Sequence, residues 1–155
     1  MSRLTLAFFL LAHLLITGAS AMAAQESVYD ENALRVESRQ GNLRIVRGVE
    51  GIVVARAGIL HGPKVADLVI RSDSALAEAK VFERDYDPGQ WVLGLGIATL
   101  GAAIGTSRIH DINPAIQGSL TAASFILLAY GGSKLDSAYR ALSRAIWWYN
   151  RDLTR

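Results

Sequence analysis

Three carboxylates, Glu83, Asp85 and Asp87, stand two residues apart. Carboxylates that close can work as a general acid and base. Here they stand where a helix should end and cap, ahead of Pro88, so a structural role accounts for them. Outside the N-terminal segment there are two histidines, His61 and His110. Neither belongs to a paired metal-ligand motif such as H-E-x-x-H, and no G-x-S-x-G nucleophile elbow occurs. Gly94, Gly96 and Gly101 lie inside an apolar run and follow no strand. The stretch from Gly101 to Gly105 lacks the Lys-Ser/Thr of a phosphate loop. No cysteine is present, which excludes disulfides, thiolate metal sites and cysteine nucleophiles. Arg35, Arg39, Arg44 and Arg47 could gather on a hairpin and meet phosphate or lipid headgroups, but alternation with Glu37 and Glu50 fits a solvated strand face. The sequence therefore predicts no catalytic residue, no cofactor and no metal, and a non-enzymatic protein.

The elements that must carry these residues follow from where charge is missing. Charged side chains make up 19% of the 155 residues, against about 25% in ordinary soluble domains, and the hydrophobic share is 51%. The deficit is local. Residues 1–24 carry only Arg3, and residues 88–132 carry only Arg108 and Asp111. A net charge of +2 gives no reason to expect nucleic-acid binding.

The first charge-poor stretch reads as a signal peptide over 1–24. Arg3 precedes the apolar run Leu4–Ile16, and Ala19-Ser20-Ala21 and Ala21-Met22-Ala23 both offer small-residue cleavage sites. The second reads as a transmembrane helical hairpin over 88–132, with spans at 88–105 and 114–131. Each span opens on an Asx-Pro pair, Asp87-Pro88 and Asn113-Pro114, suited to an N-cap followed by a first helical residue, and each closes on glycine. Eighteen residues rise about 27 Å, close to the roughly 30 Å hydrocarbon core. Gly94, Ala98, Gly101, Ala102 and Gly105 in the first span, and Gly118 and Ala122 in the second, are expected to pack helix against helix. Trp91 and Tyr130 stand where interfacial aromatic side chains belong.

Between the two lies a small exported α+β segment, 25–87. Alternation predicts a β-hairpin over about 33–47, with a third strand at 52–55. A helix over about 74–86, capped by Asp73 or Ser74, carries Ala75, Leu76, Ala79, Phe82 and Tyr86 on one face. After the hairpin, residues 133–155 form an amphipathic C-terminal helix. Leu135, Tyr139, Leu142, Ile146, Tyr149 and Leu153 recur at spacings of 4, 3, 4, 3 and 4, a coiled-coil-like seam. A packed helix would bury such a seam against the small exported segment, the 74–86 helix or another subunit, and so serve a protein partner or a second copy of the chain. The competing reading lays the helix on the membrane, with Arg140, Arg144, Trp147, Trp148 and Arg151 as lipid contacts.

The C-terminal helix ends in an aromatic-Asn element, Ala145-Ile146-Trp147-Trp148-Tyr149-Asn150. With the signal peptide and the glycine-rich hairpin, this layout resembles small bacterial cell-envelope proteins. The resemblance implies a place in the envelope and no catalytic activity. The fold class expected is thus a mainly α membrane protein: a two-helix transmembrane hairpin, a small α+β extracytoplasmic segment and an amphipathic C-terminal helix. Its expected place is the bacterial inner membrane, with the exported segment and the C-terminal helix periplasmic. Its expected partners are membrane lipids and a protein or second copy bound through the C-terminal helix. The alternative function is a pore built from oligomerised glycine-rich hairpins.

Overall fold

The computed structural model describes residues 28–39, 42–58, 61–107 and 113–155. The expected export signal, the turn at 40–41 and His110 of the connector lie outside the described residues. Strands β1 (Leu34–Arg39), β2 (Asn42–Arg47) and β3 (Ile52–Arg56) form an antiparallel sheet in the order β1-β2-β3. Strand alternation sends Leu34, Leu43 and Ile45 to the core and Arg35, Glu37 and Arg44 to the opposite face. The turn from β2 to β3 needs glycine twice, at Gly48 (φ 70°) and Gly51 (φ 69°), where a Cβ would be strained. The expected hairpin and third strand are both present.

Two helices make up most of the described residues: α1 (Asp73–Thr106) and α2 (Pro114–Asp152). Both are long and apolar enough to cross a membrane by length and composition. The N-terminal half of α1 and the C-terminal half of α2 hold the sheet. Ala75, Ala79, Phe82 and Tyr86 from α1 join Ala138, Ala141, Leu142, Ala145, Ile146 and Tyr149 from α2 in one buried cluster with Leu34, Leu43, Ile45, Val65 and Val69.

The helix boundaries differ from those the sequence suggested, for identifiable reasons. The N-cap of α1 is Ser72, whose Oγ accepts from the Ala75 amide at 3.3 Å; Asp73 and Ser74 are already helical. The helix then runs straight through Asp87-Pro88. A helix-interior proline removes one donor and costs roughly 3 kcal/mol in isolation. Packing on both sides of Pro88 offsets that, and Asp87 is free for other work. At the second Asx-Pro pair the expected cap forms, with Asn113 Oδ1 accepting from the Ala115 amide at 2.9 Å. Gly131-Gly132 does not end a helix either. The expected second span and the expected C-terminal helix are one continuous rod.

What holds α1 to α2 is a line of small residues at seven-residue spacing. Gly89, Gly96 and Ala103 on α1 and Ser124, Gly131, Ala138 and Ala145 on α2 are all buried. Seven-residue recurrence keeps one face turned toward a partner helix. Gly89 lies against Leu135, Gly96 against Leu128, and Gly131 against Leu93. Seven residues forward on α1 thus match seven back on α2, and each glycine receives a leucine. The residues expected at the packing face stand elsewhere. Gly94, Gly101, Gly105 and Gly118 have open space where a Cβ would go, and Ala98, Ala102 and Ala122 are exposed. At 100° per residue, Gly94, Ala98, Gly101 and Gly105 share the side of α1 opposite Gly96. The four-residue spacing marks the outer face of the hairpin, and the seam uses the seven-residue set.

Candidate functional site

The polar side chains concentrate at the neck, where the apolar halves of the two helices meet the sheet-bearing halves. Asp85 on α1 is 2% exposed and accepts four hydrogen bonds. Arg84 Nε and Lys134 Nζ reach its Oδ1, each at 3.0 Å, while Arg84 Nη2 at 3.2 Å and Ser137 Oγ at 3.0 Å reach Oδ2. The Arg84 guanidinium, aided by Lys134 and Ser137, holds the carboxyl below the usual aspartate range against the opposing effect of burial. Two of the donors come from α2, so the carboxylate fixes where α2 sits along α1.

The flanking carboxylates serve backbone. Glu83 Oε1 accepts from the Ala66 amide at 2.9 Å and Asp87 Oδ1 from the Gly62 amide at 2.6 Å. One helical turn apart, they strap the segment after β3 along α1. Gly62 sits so close to Tyr86 that a Cβ would lie 2.8 Å from its Cδ1. The three carboxylates therefore serve three different sets of partners. Among the described residues no group of three or more His, Cys, Asp or Glu side chains converges as metal ligands. His61 is exposed.

At the far end of α2, Asn150 closes the sheet. Its Oδ1 accepts from the Leu34 amide and its Nδ2 donates to the Leu34 carbonyl, both at 2.8 Å. One side chain thus takes the place of a neighbouring strand at β1's free edge. This gives the Asn of the aromatic-Asn element a physical task. Nothing local announces it, because its partner lies 116 residues away in the chain. We expect Asn150→Ala to lose about 2 kcal/mol of unfolding free energy, since it strands two backbone groups that are poorly placed to recover water. Chemical denaturation of the two proteins side by side measures this, and unchanged stability would remove Asn150 from the role. Nearby, Ser72 Oγ donates to Asp152 Oδ2 at 2.5 Å, tying the start of α1 to the end of α2.

The seam expected to meet a partner is largely spent within the chain. Leu142, Ile146 and Tyr149 are buried, Leu135 and Leu153 pack on the core, and Tyr139 is 41% exposed with its ring edge-on to Tyr86. The lipid-contact reading of the tail meets a geometric obstacle. Trp147 stands sixteen residues beyond Gly131 on the same helix, roughly 24 Å along its axis, so a membrane crossed by 114–131 would have its headgroup layer, about 5–8 Å deep, well short of it. Arg140 pairs with Asp136, and Arg144 Nε with Glu78 Oε1 at 2.9 Å. Arg151 stacks 3.8 Å over Trp148 and 5.3 Å from the centroid of Trp147, and the two indoles meet edge to face. This tail is a packed helix end.

The apolar halves look different. Trp91, Leu95, Ile97, Ile104, Ile116, Phe125, Ile126 and Tyr130 are all more than half exposed. Only 17% of the apolar window of α1 and 11% of that of α2 is buried. Trp91 and Tyr130 stand at the same end of the hairpin, next to the neck. No family model, curated protein or solved structure matches the chain.

Proposed function

We propose that the chain is a non-enzymatic integral membrane protein of the bacterial cell envelope that holds a small sheet-and-helix module outside the inner membrane for contact with other proteins. The observation that carries this reading is the exposed apolar surface of both helices beyond the neck. A soluble hairpin would bury such a surface, and water would penalise it by about 25 cal/mol for every Å² left open. No Asp, Glu, Lys, Arg or His interrupts 88–105 or 114–131, and Trp91 and Tyr130 supply an aromatic level at the module-side boundary. The expected signal peptide supports an outer position for the module. The Lys/Arg bias argues the other way, because Arg84, Lys134, Arg140 and Arg144 flank the spans on the module side and Arg108 stands alone in the connector.

The absence of cysteine makes the side directly measurable. A single cysteine at exposed Ser143 should react with a membrane-impermeant maleimide in intact spheroplasts, and the protein should stay in the pellet through carbonate washing. Labelling only after lysis would put the module in the cytoplasm. Release by carbonate would end the membrane reading. Because the tail seam is occupied within the chain, partner contact falls to surfaces left open on the module, where Val49, Ile52, Ile70 and Trp147 are exposed.

A second reading, a pore of associated hairpins, draws on the outward position of Gly94, Ala98, Gly101 and Gly105, which lets another helix approach closely. Ion leakage from liposomes carrying the purified protein would favour it, and tight liposomes would count against it.

A further inference from the structure

The face of the sheet turned away from the core carries an unneutralised pair of guanidinium groups. Strand register sets Glu37, Arg44 and Arg56 in one row across β1, β2 and β3, with Arg44 directly opposite Arg56. Like charges in directly opposed positions destabilise a sheet. Nothing among the described residues relieves this pair. No carboxylate lies within 4.0 Å of either guanidinium, Glu37 included. Arg44 Nε is buried without a hydrogen-bond acceptor, although buried N–H groups nearly always find one. Arg56 is exposed. In the adjacent row, buried Val46 forms an apolar floor, and Arg35 is held away by its bonds to the Gly48 carbonyl at 2.9 Å and the Val49 carbonyl at 3.4 Å. Two cations in opposed strand positions, Arg56 exposed and Arg44 half-buried, with no carboxylate partner, match the oxygens of one oxyanion.

We infer that Arg44 and Arg56 form a binding site for a phosphate group on the outer face of the sheet, taken from a water-soluble phosphate-bearing ligand. Both guanidiniums would donate to its oxygens through their terminal Nη groups. Glu37 limits the affinity from the other side of Arg44. The choice of a soluble source over a phospholipid headgroup rests on the membrane reading above. Leu34 is fixed to Asn150, nineteen residues and roughly 28 Å past Gly131. The Glu37–Arg44–Arg56 row is three residues along β1, so even a strand running straight back toward the bilayer brings it only about 10 Å closer. A gap of about 18 Å exceeds the headgroup layer and the reach of an arginine.

The test is thermal unfolding of the purified full chain in uncharged detergent, with sodium phosphate titrated against sodium chloride at equal ionic strength. Phosphate should raise Tm saturably in the unmodified protein. Arg56→Gln should shift half-saturation about tenfold or more to higher phosphate, the loss expected when a charged donor leaves an oxyanion. In chloride alone, Arg56→Gln should be at least as stable as the parent, because it removes an opposed charge. Glu37→Gln should lower the half-saturating concentration. Equal phosphate response in the parent and Arg56→Gln would overturn the site, as would no phosphate-specific shift at all. A drop in stability of Arg56→Gln in chloride would also overturn it, by making Arg56 a structural partner. A second arm replaces phosphate with phosphatidylglycerol in phosphatidylcholine vesicles. An Arg56-dependent shift there, with none from inorganic phosphate, would overturn the soluble source. The detergent arm does not depend on membrane location, so its failure and a failure of the carbonate and maleimide experiment are told apart.

Discussion

Gly131→Ala should destabilise the hairpin by about 3 kcal/mol, while Gly118→Ala should leave it unchanged or slightly more stable. The two substitutions add the same methyl to the same helix, thirteen residues apart. At Gly131 the new Cβ would stand 2.6 Å from the Leu93 amide nitrogen, 3.0 Å from its Cα and 3.1 Å from the Gly89 carbonyl oxygen. All three are backbone atoms, so no side-chain rotation relieves the overlap and the helices must move apart. Separation at that level would also loosen the fit of Gly89 to Leu135 and Gly96 to Leu128, which share the register, and would strain the neck just above. At Gly118 nothing lies within 4 Å, and alanine is the better helix former by about 1 kcal/mol. Unfolding in detergent followed by circular dichroism reads both. If the two variants were equally harmed, the seam would not be where Gly89, Gly96 and Gly131 place it. Harm confined to Gly118→Ala would mean that the outward small residues hold a second copy.

This pair of glycines also shows how much the sequence could disclose. Four-residue spacing drew attention to Gly94, Ala98, Gly101 and Gly105, and those residues do share a face, but a single helix cannot reveal which face meets a neighbour. The seven-residue set, Gly89, Gly96 and Ala103 against Ser124, Gly131 and Ala138, was equally present in the letters. It begins beside Pro88 and runs across Gly131, two residues whose usual meaning is a helix boundary. Here tertiary packing overrode local propensity at both. The strands were legible because half-burial imposes alternation on Leu34, Val36, Leu43 and Ile45. The buried face of α1 was legible from Ala75, Ala79, Phe82 and Tyr86 for the matching helical reason. Asp85 could not be singled out, because its partners Lys134 and Ser137 lie about fifty residues downstream and only antiparallel packing brings them to it. The 4-3-4-3-4 spacing of the tail seam is legible in the letters, while the choice among the neighbours that could cover it depends on α2 being continuous.

The other large effect belongs to Asp85. Asp85→Ala should cost about 3–5 kcal/mol, the range for breaking a buried ion pair by removing one member. The variant leaves Ser137 and Lys134 without their acceptor beside a cavity, while the Arg84 side chain, 68% exposed, swings into solvent. Lys134→Met should cost much less. Its side chain is already a third exposed, so solvent screens the lost attraction, and Arg84 and Ser137 still satisfy the carboxylate. The asymmetry separates a neck organised around one buried anion from an ordinary surface pair, in which either removal would matter little. A pH series adds an independent readout. Because the carboxyl is held below its unfolded value of about 3.9, the stability it contributes is complete above that pH and drains away as the pH falls toward the folded value. The stability gap between the parent and Asp85→Asn should therefore be constant from about pH 5 to 7 and narrow below about pH 4. Asp152, also held low chiefly by its bond from Ser72, titrates in both proteins and cancels in the difference. A gap that stayed level down to the onset of acid unfolding would mean that Asp85 acts through its shape and hydrogen bonds alone, and the neck would then need no charge.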